Sequence, residues 1–174
     1  MNLELKLNEM AEKLYGKTIA ACTDAELYHS LLQFTKKQMA EKPVIEGKKK
    51  VYYVSMEFLI GKLLSCNLIN LGLYEEVKAV LEKNGMIDRL DRYVWDKVCA
   101  WIRSWIDRGF QPVPISINVS RVDIFSMDVP AYIFSLLEKY QLSEHYVKVE
   151  ITESAYTEDP EQLIKVVNQL KEAG

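Results

Sequence analysis

Cysteine is scarce in this chain: Cys22, Cys66 and Cys99 are odd in number and far apart. That pattern excludes a disulfide framework or a clustered thiolate metal site and leaves reduced, buried thiols as the expectation. Histidine is scarcer still, and His29 and His145 fall on separate elements without a cysteine or aspartate at a readable spacing, so both read as surface or capping residues. Long apolar runs are missing too. The longest, Val51 to Ile60, is interrupted by Ser55 and Glu57, well short of the roughly 20 apolar residues that a membrane helix needs. Residues 1–13 alternate charge with leucine instead of setting an apolar stretch behind a basic start, so no secretory signal is expected and the cytoplasm is the expected compartment. An excess of basic charge is also absent: 22 Lys and Arg stand against 25 Asp and Glu, for a net charge of −3. With no basic stripe, sequence-independent binding of a nucleic-acid polymer is excluded. A P-loop, GxGxxG, GxSxG and CxxC are all lacking.

What is present is the composition of a folded globular chain of 174 residues, 49% apolar and 27% charged. Usage changes in the middle. Residues 1–85 hold 12 lysines, no arginine and 11 acids, whereas residues 86–174 hold 5 lysines, 5 arginines and 14 acids, giving net charges of +1 and −4. All three tryptophans (Trp95, Trp101, Trp105) and four of the five prolines lie in the second part. The shift suggests two origins. The seam does not look like a linker, because Glu82-Lys83-Asn84-Gly85 reads as the last turn of a helix with Gly85 free to take a left-handed cap.

In the first part, Thr23 and Glu26 form a capping-box pattern, and Leu27, Leu31, Phe34 and Met39 form a helical stripe that ends before Pro43. Val51-Tyr52-Tyr53-Val54 is β-branched and aromatic without alternation, as expected of a strand covered on both faces. A further helix is expected over 75–83. In the second part, Val94, Val98, Trp101, Ile102, Trp105 and Ile106 recur at helical spacing and read as core, with Gly109 closing the helix. Strands are predicted over 113–119 and 147–151, with a helix over 129–140 between them. A last helix, capped by Asp159 and Pro160, is predicted to run through Leu170. This order is that of an α/β chain with two parallel strands.

Functional side chains of parallel arrays gather where the strands end. Asn118 and Glu150 occupy that position one βα unit apart. An amide oxygen and a carboxylate from adjacent strands are donors that a hard divalent cation such as magnesium accepts, with Glu153 in a supporting place behind them. The alternative is that Asn118 ends a strand for turn reasons and the glutamates are solvated.

Two resemblances follow from longer motifs. Residues 50–64, KVYYVSMEFLIGKLL, continuing into Asn67-Leu68-Ile69-Asn70-Leu71-Gly72-Leu73, closely resemble the N-terminal region of the glycogen and maltodextrin phosphorylases. That family degrades α-1,4-glucans with pyridoxal phosphate on a lysine of its C-terminal domain. The resemblance places Glu57 near a catalytic cleft, implies no pyridoxal phosphate site within this chain, and finds Cys66 where an asparagine is usual. From about Glu82, the segments Leu90-Asp91-Arg92-Tyr93-Val94-Trp95, Ile115-Ser116-Ile117-Asn118-Val119-Ser120-Arg121 and Val149-Glu150-Ile151-Thr152-Glu153-Ser154-Ala155-Tyr156 resemble the EAL domain, a TIM-like barrel that hydrolyses cyclic di-GMP with two magnesium or manganese ions. By that resemblance Asn118 and Glu150 match metal ligands and Glu153 matches a glutamate that steadies a neighbouring loop.

The combined expectation is a composite. Residues 1–85 would be a phosphorylase-like, mostly helical segment with one buried strand, and residues 86–174 a partial TIM-like barrel fragment with two parallel strands. The EAL signature glutamate should precede Leu90 and is replaced there by phosphorylase-like sequence. The paired aspartates and later lysine, glutamate and glutamine of that family are expected past Gly174. A catalytically incomplete chain is therefore expected, with magnesium or manganese held weakly and cyclic di-GMP or an α-glucan as ligand only by resemblance. Pairing with another copy or a protein partner is the expected alternative role.

Overall fold

The computed structural model describes residues 2–42, 62–151 and 160–172, and the chain divides into two compact units, Met1–Met86 and Ile87–Gly174. The expected strand at 51–54 lies outside the described residues.

The first unit contains α1 (Leu3–Tyr15), α2 (Asp24–Ala40), α3 (Lys62–Leu71) and α4 (Tyr74–Lys83), with a 3₁₀ turn at Ile19–Ala21. Leu3, Leu7 and Ala11 recur every four residues and form the buried stripe of α1. Thr23 and Glu26 form the expected capping box: the Glu26 N–H donates to Thr23 Oγ1 at 3.3 Å, and the Thr23 N–H donates to Glu26 Oε2 at 2.8 Å. Lys17 pairs with the same carboxylate at 2.9 Å, and its hydrogen bond holds the Glu26 carboxyl below the usual range. Leu27, Leu31 and Phe34 are buried as their spacing predicts, whereas Met39, in the last turn of α2, is exposed. Each helix packs on two others, α1 on α2 and α4, and α3 on α2 and α4, so the apolar stripes share one core. Glu4 ties the ring shut by accepting from Lys83 Nζ at 2.8 Å and Asn84 Nδ2 at 3.2 Å. Gly85 takes the left-handed conformation expected of it, with φ of 60°. The chain turns there while the Met86 N–H donates to Leu81 O at 2.9 Å and the Gly85 N–H to Glu82 O at 3.0 Å.

The second unit runs α5 (Ile87–Asp107), β1 (Ile115–Val119), α6 (Arg121–Ser126), α7 (Val129–Lys139), a 3₁₀ turn (Glu144–Tyr146), β2 (Val147–Ile151) and α8 (Pro160–Glu172). The strands pair in parallel, with Ile115 opposite Val147 and Val119 opposite Ile151. The first strand begins two residues later than expected. Pro112 and Pro114 cannot donate to a ladder, and Val113 between them is 66% exposed. The core joins Ile117 and Val119 to Ile124, Val129, Ile133, Leu136, Leu163 and Val166.

The buried face of α5 differs from the predicted stripe. Trp95, Val98, Cys99 and Ile102 form the seam, together with Leu90, while Trp101 is 44% exposed. Helical residues turn about 100° apart, so the position just before Ile102 is carried off the face that Ile102 buries. Trp95, only 1% exposed, also donates its indole N–H to the carbonyl of Asn118 at 3.1 Å and so joins α5 to the end of β1. Asp96, on the next position of α5, accepts from Lys139 Nζ at 2.6 Å and Tyr140 Oη at 2.9 Å, which fixes the end of α7.

Replacing Trp95 with Ala is expected to cost about 3–5 kcal/mol through the cavity left behind. Trp95→Phe, which strands the Asn118 carbonyl, is expected to cost about 1–3 kcal/mol. Trp101→Ala is expected to cost under about 1 kcal/mol because its side chain is already half in water. Urea unfolding of the three variants, followed by circular dichroism, checks this order.

Candidate functional site

The two strands have one packed face and one open face. Along β1, Ile117 and Val119 are buried while Ser116 and Asn118 are exposed, and along β2, Lys148 and Glu150 are the exposed residues. Asn118 pairs with Glu150, and Ser116 with Lys148. Residues paired across a ladder project to the same side of a sheet. The two predicted oxygen donors therefore stand side by side on the open face, each one residue before the end of its strand. Lys148 shares that face and places a positive charge two residues back along β2.

The backbone beneath Asn118 is held from two directions. Trp95 binds its carbonyl from α5, and two residues later Ser120 caps α6. There the Ser120 N–H and hydroxyl donate to Asp123 Oδ2 at 2.7 and 2.6 Å, while the Asp123 N–H donates to Ser120 Oγ at 3.3 Å. Asp123 is fully buried. Burial pushes its carboxyl up from the usual range, against the opposing pull of the Ser120 donors. Asp91, on α5, hydrogen-bonds to it, and burial together with the neighbouring Asp123 charge pushes Asp91 up to about 8.

Sequence reasoning missed this carboxyl pair. The Ser120-x-x-Asp123 spacing is a capping-box signal that could have located Asp123. Nothing in the spacing ties Asp91 to it, since the partners lie on different elements. Glu57 and Glu153 lie outside the described residues, as does the Cys66 side chain. His29 and His145 are exposed: His29 bonds Tyr15 and Gln33, and His145 bonds Ser143. Cys22 and Cys99 are buried, and burial pushes the Cys99 thiol up to about 11.

As a donor set, Asn118 and Glu150 fit the edge of a hydrated magnesium or manganese ion, with one amide oxygen and one negative charge between them. Among the described residues, no cluster of three or more His, Cys, Asp or Glu side chains is placed to enclose a metal. Lys148 on the same face works against a second positive charge.

The EAL domain family model matches residues 63–174, a segment that begins in α3, ahead of the change in composition after Gly85. Maltodextrin phosphorylase of Streptococcus pneumoniae is 58% identical over 81 residues, covering 47% of this chain and 11% of that protein. The signaling protein YkoW of Bacillus subtilis is 32% identical over 99 residues, 57% of this chain and 12% of the relative. The bifunctional diguanylate cyclase/cyclic di-GMP phosphodiesterase MucR of Pseudomonas aeruginosa is 26% identical over 93 residues, 53% of this chain and 14% of the relative. The chain thus spans 11% to 14% of the length of these relatives. Two families meet in one chain, which belongs to the EAL domain family and carries an N-terminal region similar to the maltodextrin and glycogen phosphorylases.

Proposed function

We propose that this chain, taken by itself, is a composite whose second unit is a fragment of a TIM-like barrel with only part of a cyclic di-GMP phosphodiesterase site. The observation that carries this reading is the in-register pair Asn118 and Glu150 on the open face of β1 and β2. In this reading the pair holds one hydrated magnesium or manganese ion and leaves it most of its waters. When bound, such an ion would polarise a phosphate oxygen of a nucleotide ligand. Asn118 supplies a neutral oxygen and Glu150 the one negative charge. Lys148 opposes the ion but can meet a phosphate directly, so the face suits weak ligand binding better than hydrolysis. Glu153 is assigned a supporting place behind Glu150 by its position in the motif.

The N-terminal unit is proposed to bring no phosphorolysis. Glu57 would be a cleft residue of the phosphorylase family, separated here from the pyridoxal phosphate lysine that the chemistry requires. The expected compartment is the cytoplasm, a reading supported by the buried thiol of Cys99. No helix among the described residues is long and apolar enough to cross a membrane. A role in pairing with a second copy or a protein partner is the alternative. It is favoured by the outer edges of the two-stranded sheet seen among the described residues, since strand edges present backbone N–H and C=O groups to a partner.

Magnesium titrated by calorimetry is expected to bind with a Kd no tighter than about millimolar, because few charged ligands replace its waters. A micromolar Kd that is lost in Glu150→Ala would overturn the partial-site reading. Cyclic di-GMP incubated with the protein and manganese is expected to stay intact, and turnover abolished by Glu150→Ala would show a complete site. Maltodextrin and phosphate are expected to yield no glucose 1-phosphate, with or without added pyridoxal phosphate. Release of that product by protein freed of contaminating enzyme would contradict the assignment of the first unit.

A further inference from the structure

Three polar side chains are buried among the described residues: Ser30, Thr35 and Asp123. The two hydroxyls are satisfied on helix carbonyls, Ser30 on Glu26 O and Thr35 on Leu31 O, each at 2.8 Å. Asp123 is satisfied on one side only. Its Oδ2 accepts twice from Ser120, while its Oδ1 is shielded from water and has no N–H or hydroxyl donor among the described residues. A buried carboxylate oxygen left in that state is costly. The group hydrogen-bonded to this carboxyl from α5 is itself a carboxyl, that of Asp91. Two carboxylates in contact repel, but one proton makes them donor and acceptor.

We infer that Asp91 and Asp123 hold one proton between them and so form a pH-sensitive latch between α5 and the start of α6. The proton sits on Asp91. Asp123 is the acceptor because the N–H and hydroxyl of Ser120 stabilise its charged form, whereas Asp91 meets burial and a neighbouring negative charge, which push it up to about 8. Among the described residues, Asp88 also acts on both members; it lies one turn back on α5 and is bridged by Arg92 at 2.9 Å. Of the elements packed on α5 and α6, β1 carries no charged residue. On α7, Lys139 is bound to Asp96 and Glu138 is exposed, and on α8, Glu161, Lys165, Lys171 and Glu172 are all exposed.

With the proton in place, the latch holds Ser120 and the first turn of α6 against α5. Once it leaves, two negative charges face each other, that of Asp123 shut off from water, and the capping box is pulled at Asp123. Ser120 lies two residues beyond Asn118, so opening would disturb the end of β1. That consequence rests on the metal-ligand reading of Asn118, whereas the latch itself does not.

Linkage fixes the sign. The folded chain keeps a proton that the unfolded chain releases near the ordinary aspartate value of about 3.9. This pair therefore makes the fold lose stability as pH rises from about 4 to about 8, with no further loss above that. Asp91→Asn replaces the proton with an amide N–H that donates at every pH. All three tryptophans lie in the second unit, so urea unfolding of the full chain followed by tryptophan fluorescence reads that unit.

The unfolding constant of the native chain divided by that of Asp91→Asn is expected to rise about tenfold per pH unit between pH 5 and 7.5 and to level off above about 8. Parallel profiles for the two proteins would overturn the latch. A second measurement needs no variant: carboxyl-carbon NMR of the native chain is expected to show one aspartate titrating near pH 8, and completion of every aspartate titration by about pH 5 would overturn it. Neither measurement involves a metal, so the latch and the partial metal site stand or fall separately.

Discussion

The register of two short parallel strands is the constraint on which the second unit depends. Five residues of β1 face five of β2, and the alternation along β1 puts Ile117 and Val119 into the core and Ser116 and Asn118 on the open side. Side chains alternate with a period of two, so a slip of one residue would expose the apolar pair and bury the polar one. The burial of Ile117 and Val119 thus holds Asn118 opposite Glu150. Trp95 reinforces the arrangement from below by filling the core with its ring and binding the Asn118 carbonyl with its one polar atom.

Among the described residues the first unit packs four helices into a ring, and its charged contacts, such as Lys17 with Glu26 and Lys83 with Glu4, lie at the surface, where such pairs add little. The second unit adds a buried carboxyl, that of Asp123. Asp123 and Asp91 lie in or near its core, and their satisfaction depends on Ser120 and on a proton. The chain passes from α4 to α5 through Asn84, Gly85 and Met86, and the left-handed Gly85 makes so short a passage possible.

Much of the local structure was legible in the residues because it rests on local chemistry. The Thr23 capping box, the Gly85 cap, the helix over 129–140 and the last helix depend on spacings of a few positions, whereas the parallel strand pair was legible from the βα order. The length of β1 was misjudged because apolar character at Val113 was read without giving weight to the prolines on either side of it. The buried face of α5 was misjudged because a helix carrying three tryptophans offers more than one apolar stripe, and which is buried is decided by the partners that meet it, here β1, α6 and α7. Asp91 and Asp123 were overlooked for a similar reason: one is a helix residue and the other a cap residue, and only the packing of α5 on α6 brings them together. Asn118 and Glu150 could be paired from sequence because each stands one residue before the expected end of its strand, one βα unit apart.

The account turns on Asn118 and Glu150 standing together as weak oxygen donors at the end of the sheet. Manganese added stepwise to the isotopically labelled full chain tests this most directly, since a bound paramagnetic ion broadens the NMR signals of the groups around it. The account predicts that the amides of Asn118 and Glu150 broaden together, ahead of those of the first unit, and that magnesium in excess reverses the effect. Broadening centred elsewhere, or at one strand without the other, would contradict it.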